Sequence, residues 1–285
     1  MEVQTTDYFK WKPLYIVPIG DIQLGASGIN VDQLRADIKR GVDLHKAGEQ
    51  VRFIGLGDYV DVDSPSGRQK RAAAGFYDSH MAALDEVAEL RLGELIRYFR
   101  ETHGLWLGMH HGHHYHDFGD GTITDTRLAG ALGAPYIKTS ALTRVRFQRA
   151  GTSSVAGDIY SWHGAGSGQT QVAPINKLEK ISGFVDADLY LISHFARRSV
   201  APRDKVYMNH QGILASKTLY MIATGGYMKA YDEGAGRIEA GYVEKAGMSA
   251  VTMGGVIIKW TPMRARETAN GKRIDRLWIK QEVVV

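Results

Sequence analysis

Residues 51–61 read VRFIGLGDYVD: an apolar run stops at Gly57 and opens into an acidic loop that carries Asp58 and Asp61. A run of this kind, bounded by a turn signal, predicts a buried strand. The same arrangement stands on either side of it. Residues 13–20, PLYIVPIG, lead into DIQLG with Asp21 and Gln23, and residues 104–110, GLWLGMH, end inside the histidine cluster GMHHGHHYH of residues 108–116. Between the first two runs, NVDQLRADIKRGVDLHKAG (30–48) places Val31, Leu34, Ile38 and Val42 at helical spacing, with Asn30 as N-cap and Gly48 as stop. Ala72 to Glu101, rich in Ala, Leu and Glu, predicts one or two helices before the third strand. Strand, helix, strand, helix, strand implies parallel pairing with right-handed crossovers. Ligands of open α/β sheets bind beyond the carboxyl ends of the strands, so Asp21, Asp58 and the histidines are expected along one edge.

Beyond residue 135 the pattern turns toward strands: ALTRVRFQRA (141–150), GDIYSWHGAG (157–166) and ADLYLISHFARR (187–198), with a helix over APINKLEKISGFV (173–185). From Val200 onward, apolar segments alternate with turns, which predicts antiparallel strands completing a second sheet over residues 201–285. No Pro/Ser-rich linker or charge block divides the 285 residues, so a single domain is expected, with 14–200 its motif-bearing part.

Composition narrows the function classes. The amino-terminal MEVQTTDYFKWKP is acidic in part and lacks an apolar core, unlike a signal peptide, and no run approaches the ~18 apolar residues of a membrane span. A soluble intracellular protein without a membrane partner is expected. With no cysteine, a metal is held by His, Asp, Asn or Gln, ligands that suit Mn, Fe or Zn. A net charge of +4, with late basic groups in HFARRS, PMRARE and NGKRIDR, leans toward a polyanionic substrate or is ordinary solvated surface. HGAGSGQT (163–170) lacks the lysine of a nucleotide-binding P-loop, so its glycines are expected to let the backbone turn close to a metal or let amide groups face a phosphate.

Taken in order, the loops carry D-x-Q (Asp21, Gln23), GD-x-x-D (Asp58, Asp61), GHHY (Gly112 to Tyr115), HG (His163) and SHFA (His194 to Ala196). This series resembles the calcineurin-like metallophosphoesterases, with D-x-H, GD-x-x-D, GNH-[D/E], HG and G-H-x-H at strand ends. Within that family it is most similar to phage and prophage members, through GHHYHDFGDGT, HGAGSGQTQVAPINKLEK, GGYMKAY and GYVEKAG. The resemblance implies an α/β sandwich of two mixed β-sheets flanked by helices, with the active site at strand C-terminal ends.

It also implies roles. Asp58 would bridge two metal ions, Asp21 would serve the first, and Gln23 would stand where the family has histidine. His113, His163 and His194 would complete the second ion's shell, and His114 would contact phosphate and protonate the leaving group, a task its pKa near 6.5 suits. In an alternative register, His110 and His111 take the roles of His113 and His114. Ala196 occupies the place of the family's last histidine. One or two divalent ions are implied, Mn2+ first, with Fe, Zn or Ni as alternatives. Arg197, Arg198 and Tyr115 are candidate substrate-binding residues; the arginines are equally well read as solvated, and Tyr115 as packing.

The implied activity is a metal-dependent phosphoesterase, a phosphodiesterase or nuclease acting on nucleic acid or a nucleotide by attack of metal-bound hydroxide on phosphorus. The implied location is the cytoplasm of a bacterial or phage-infected cell. The alternative, prompted by Gln23 and Ala196, is a degenerate relative with one metal or none that binds nucleic acid or protein. Oligomeric state is left open.

Overall fold

Leu14–Ile19 (β2), Gln50–Gly55 (β3) and Trp106–Met109 (β4) pair in parallel, as their shared grammar predicts. In this computed structural model the described residues are 1–26, 28–62, 64–75, 77–149, 151, 153–168, 170–208, 212, 214–229, 252–269 and 272–284. Alternation along β2 explains its uniformly apolar sequence. Leu14 and Ile16 pack into one core while Val17 and Ile19 pack into another, so both faces are covered.

Helices Val31–Lys46 (α1), Asp78–Phe99 (α3) and Thr124–Ala131 (α4) cover one face of this sheet through Leu34, Ile38, Val42, Leu92, Leu95, Phe99 and Leu128. The α1 N-cap is Asn30, whose side chain accepts from Gln33 N–H at 3.1 Å. A further helix, Pro65–Ala74 (α2), follows the Asp58 loop. It begins before the Ala72 expected from composition, because proline is favoured in a first helical turn.

The second sheet has the order β1, β5, β6, β7, β9, β8, comprising Glu2–Lys10 (β1), Ser140–Gln148 (β5), Ser154–Trp162 (β6), Leu189–Ile192 (β7), Arg198–Met208 (β8) and Leu214–Thr224 (β9). Its inner face meets the first sheet through Val145, Phe147, Ile159, Leu189, Leu191 and Ile222. Its outer face receives Ala173–Ile181 (α5) through Leu178 and Ile181. The result is the expected sandwich of two mixed sheets flanked by helices.

The C-terminal strands depart from expectation. Ile257–Ala269 (β10) and Lys272–Val284 (β11) form a hairpin that joins the first sheet, with Ile258 opposite Ile16 and Trp260 opposite Leu14. Only β8 and β9 complete the second sheet. The reason is burial: Ile258 and Trp260 are fully enclosed beside β2, between the sheets. GYVEKAG (241–247) and the last two residues of GGYMKAY (225–231) lie outside the described residues. Among the described residues, no helix is long and apolar enough to cross a membrane.

Candidate metal centre

Five loops meet where β2, β3, β4, β6 and β7 end, and their backbones are held in conformations that side chains rarely adopt. Asp21, Gln23, Asp58, His194 and Ala196 all have positive φ, between 48° and 70°. Such strain persists only where surroundings enforce it, and it gathers at functional sites. Two glycines show the enforcement. A Cβ on Gly57 (φ +89°) would come 2.7 Å from both Gly112 Cα and His163 Nδ1, and one on Gly112 would come 2.0 Å from Asp58 N. The Asp58 and histidine loops therefore cross with backbone against backbone.

Asp58 Oδ1 accepts the amide N–H groups of His113 (2.5 Å) and His114 (2.9 Å), so one carboxylate fixes the start of the histidine loop. Beneath it, Gly112 N–H donates to the buried Asp125 carboxyl at 2.9 Å. From outside, the Arg68 guanidinium on α2 donates to the carbonyls of His113 (2.9 Å) and Tyr115 (3.0 Å) and lies 3.8 Å over the Tyr115 ring.

Three imidazoles converge on Asp58. The donor atoms of Asp58, His113, His163 and His194 all lie within 4.8 Å of one another. A carbonyl can only accept, so two tautomers follow from geometry: His163 Nδ1–H donates to Leu56 O (2.5 Å), and His194 Nε2–H donates to Gly166 O (2.7 Å). That leaves His163 Nε2 and His194 Nδ1 facing His113 Nδ1, at 3.1 and 3.2 Å. Carbonyl partners of this kind orient metal-ligating histidines. Four-coordinate ions with ~2.1 Å bonds hold their donors about 3.4 Å apart, six-coordinate ions about 3.0 Å. The two His113 contacts fall between, and all four donors lie within 4.8 Å of one another, so the residues fit a divalent cation.

Electrostatics agree. Burial pushes the His163 pKa down, but the Asp58 carboxylate 3.4 Å away outweighs it and holds the imidazole at about 9. Burial raises the Asp58 carboxyl, yet His163 and His114 bring it well below the usual carboxylate range. His113, half-buried beside His163 and His194, is depressed to about 4, first by burial and then by their charge.

The other histidines of the cluster have separate tasks. His114 Nδ1 is 2.9 Å from Asp61 Oδ1, which raises its pKa and pins the ring beside the donors. His110 is fully buried, its Nδ1 donating to Lys138 O (3.0 Å) and its Nε2 facing Ser161 Oγ (2.8 Å), so it ties β4 to β6. His111 bonds the Tyr136 hydroxyl at 3.0 Å, and His116 Nε2 lies 2.6 Å from Asp85. The alternative register is thus not the one that faces Asp58.

The remaining sequence candidates are placed as follows. Asp21, buried, accepts at Oδ2 from Ser193 Oγ–H (2.9 Å) and Ala196 N–H (3.1 Å). Burial raises its pKa. Gln23 N–H donates to Asp58 O at 2.8 Å. Arg197 is buried, and Arg198 Nη1 donates to Gly255 O at 3.3 Å. Tyr115 lies between Arg68 and His111, whose ring centroid is 4.5 Å away. Arg68, Asp125 and Ser193 were missed; Ser193 alone had a local signal, its place directly before His194 in a strand-end motif.

No protein-family model matches the chain, and no curated protein matches it. Several solved structures are similar. Vps29 of Entamoeba histolytica, complexed with zinc, is 10% identical over 93% of this chain and 98% of that one, with a TM-score of 0.34. A predicted phosphoesterase of Streptococcus pneumoniae is 11% identical over 94% and 98%, with a TM-score of 0.29. GAP50 of Plasmodium, an anchor in the inner membrane complex, is 10% identical over 96% and 90%, with a TM-score of 0.40. At these scores the likeness is a loose one of overall shape, and the account of the site rests on its own geometry.

Proposed function

We propose that this chain is a metal-dependent phosphoesterase, and more narrowly a phosphodiesterase or nuclease acting on nucleic acid or nucleotides. The observation that carries the reading is the cluster of Asp58, His113, His163 and His194, whose donor atoms all lie within 4.8 Å of one another, with His114 held by Asp61 alongside. A bound divalent ion supplies charge neutralisation at phosphate oxygens and makes water more acidic. Everything else falls to the chain. Asp58 sets the histidine loop through two amides, Leu56 and Gly166 carbonyls orient the imidazoles, and Asp61 holds Nδ1 of His114 so that Nε2 can give a proton to a leaving oxygen.

The basic excess of the chain supports a polyanionic substrate. Manganese suits the imidazole and carboxylate donor set and is the first ion to try. The test is hydrolysis of bis-p-nitrophenyl phosphate and of single- and double-stranded DNA with Mn2+. Activity that is lost in Asp58→Asn and His163→Ala supports the reading, and activity indifferent to both sinks it.

A second reading is a binding protein of the same shape without catalysis, favoured by the methyl group of Ala196 beside Asp21. It predicts nucleic-acid or protein binding that persists in the same variants.

A further inference from the structure

Asp21 is 1% exposed; its Oδ2 is taken by Ser193 and the Ala196 amide, while Oδ1 is buried with no partner. Its ionisable neighbours are His163, Asp58 and His194. A carboxylate oxygen shut off from water and given no donor calls for a cation.

Residue 196, beside this carboxylate, offers no nitrogen donor. Ala196 brings only its methyl group, packed with Asp21 Cβ against Gly226, where an added Cβ would meet them at 3.2 and 2.8 Å. His110 has both ring nitrogens engaged, His111 faces Tyr136, His116 faces Asp85, and His114, pinned at Nδ1 by Asp61, is the proton donor assigned above. The nearest candidate donors are oxygens: Asp21 Oδ1 and the Asp58 carboxylate, with Gln23 on the same loop, its amide bonded to Asp58 O.

We propose that the centre is chemically divided. The imidazole half binds a zinc-class ion tightly, and the Asp21 half is an oxygen-only site that takes a hard divalent ion, Mg2+ or Mn2+, more weakly. Nitrogen donors favour the late transition ions, whereas carboxylate and carbonyl oxygens suit Mg2+ and Mn2+. The two halves therefore differ in selectivity as well as affinity. The inference rests on the metal-centre reading above, and its test separates the two.

The full chain is stripped with chelator, reloaded with Zn2+, dialysed and its zinc counted by mass spectrometry. Mn2+ is then titrated while the free Mn2+ signal is followed by electron paramagnetic resonance. The expected result is one retained zinc and one weaker Mn2+ site, from which Mg2+ displaces Mn2+ without displacing zinc. Asp21→Asn is expected to weaken Mn2+ by about 10- to 100-fold or more while keeping the zinc, which also reports that the variant is folded. Ala196→His is an independent arm that returns a nitrogen donor, and it is expected to raise the tightly held zinc from one to two.

One zinc with no Mn2+ binding overturns the inference and leaves the imidazole centre standing. Two tight zinc ions in the unaltered chain overturn it too, as does a count of one in Ala196→His with Mn2+ binding unchanged. No zinc retained at all overturns both the inference and the metal-centre reading.

Discussion

His113 Nδ1 stands 3.1 Å from His163 Nε2, while the far nitrogen of the His163 ring is committed to the Leu56 carbonyl at 2.5 Å. Ring nitrogens at this distance share either a proton or a cation. His163 and Asp58 are each 2% exposed, while His113 and His194 are partly buried. The local fold thus gathers four side chains, from three different loops and the end of β7, around a point that a cation fits.

Arg68 sets the height of the loop that carries His113 and His114. Arg68→Ala is expected to weaken zinc or manganese binding by about 10- to 100-fold, the usual cost of losing a partner that orients a ligand. Arg68→Lys restores charge but neither the paired donors nor the stacked plane, so it is expected to recover only part of the affinity. Isothermal titration of metal into each variant checks this; equal affinity in all three would remove Arg68 from the account.

Asp61 acts on His114 and touches none of the converging donors. Asp61→Asn is expected to lower kcat on bis-p-nitrophenyl phosphate by about 10- to 100-fold, within the range for general acid catalysis, with metal content unchanged. Loss of metal in this variant would show instead that Asp61 shapes the centre itself.

The fold itself also titrates. Burial, and then the Asp58 charge, raise the Asp125 carboxyl to about 7, well above its unfolded value. Between pH 4 and 7 the folded state keeps a proton that the unfolded state has released, so this group lowers stability as pH rises, levelling off above 7. Asp125→Asn retains an acceptor for Gly112 and is expected to stabilise the protein at pH 8, by an amount bounded at about 4 kcal/mol, and not at pH 4. Urea unfolding at the two pH values measures the difference, and an equal effect at both would contradict the assignment.

His110 works in the opposite sense. Burial holds its pKa at about 3, so its contribution is present above 6.5 and is lost as pH falls from 6.5 toward 3. His110→Gln is expected to cost about 1 to 3 kcal/mol at pH 8 through the altered hydrogen bonds, and less at pH 4.5, where the native histidine is itself penalised. Thermal unfolding across pH 4.5 to 8 provides the comparison.

The sequence exposed the strand ends because the buried strands of the first sheet are apolar on both faces and stop abruptly at polar residues, as Ile19 to Asp21 and Gly55 to Asp58 illustrate. β1 was hidden for the opposite reason. It is an edge strand, EVQTTDYFK, with only Phe9 buried, so no apolar run marks it. The β10–β11 hairpin could be recognised as antiparallel, but its choice of sheet depends on where Trp260 finds an enclosed pocket. Within the histidine cluster, composition could not rank five rings in seven residues. Their ranking came from Gly112, whose missing Cβ lets the backbone cross Asp58 and turn His113 toward the centre. Arg68 recognises main-chain carbonyls 45 and 47 residues away, which leaves no trace in spacing.

The most direct test of the central claim is metal stoichiometry in His163→Ala beside the unaltered protein, after loading with Zn2+ and exhaustive dialysis. The account predicts at least one ion per chain in the unaltered protein and none in His163→Ala, with both folded by circular dichroism. An unaltered protein that keeps no metal, or a variant that keeps as much as its parent, would contradict it.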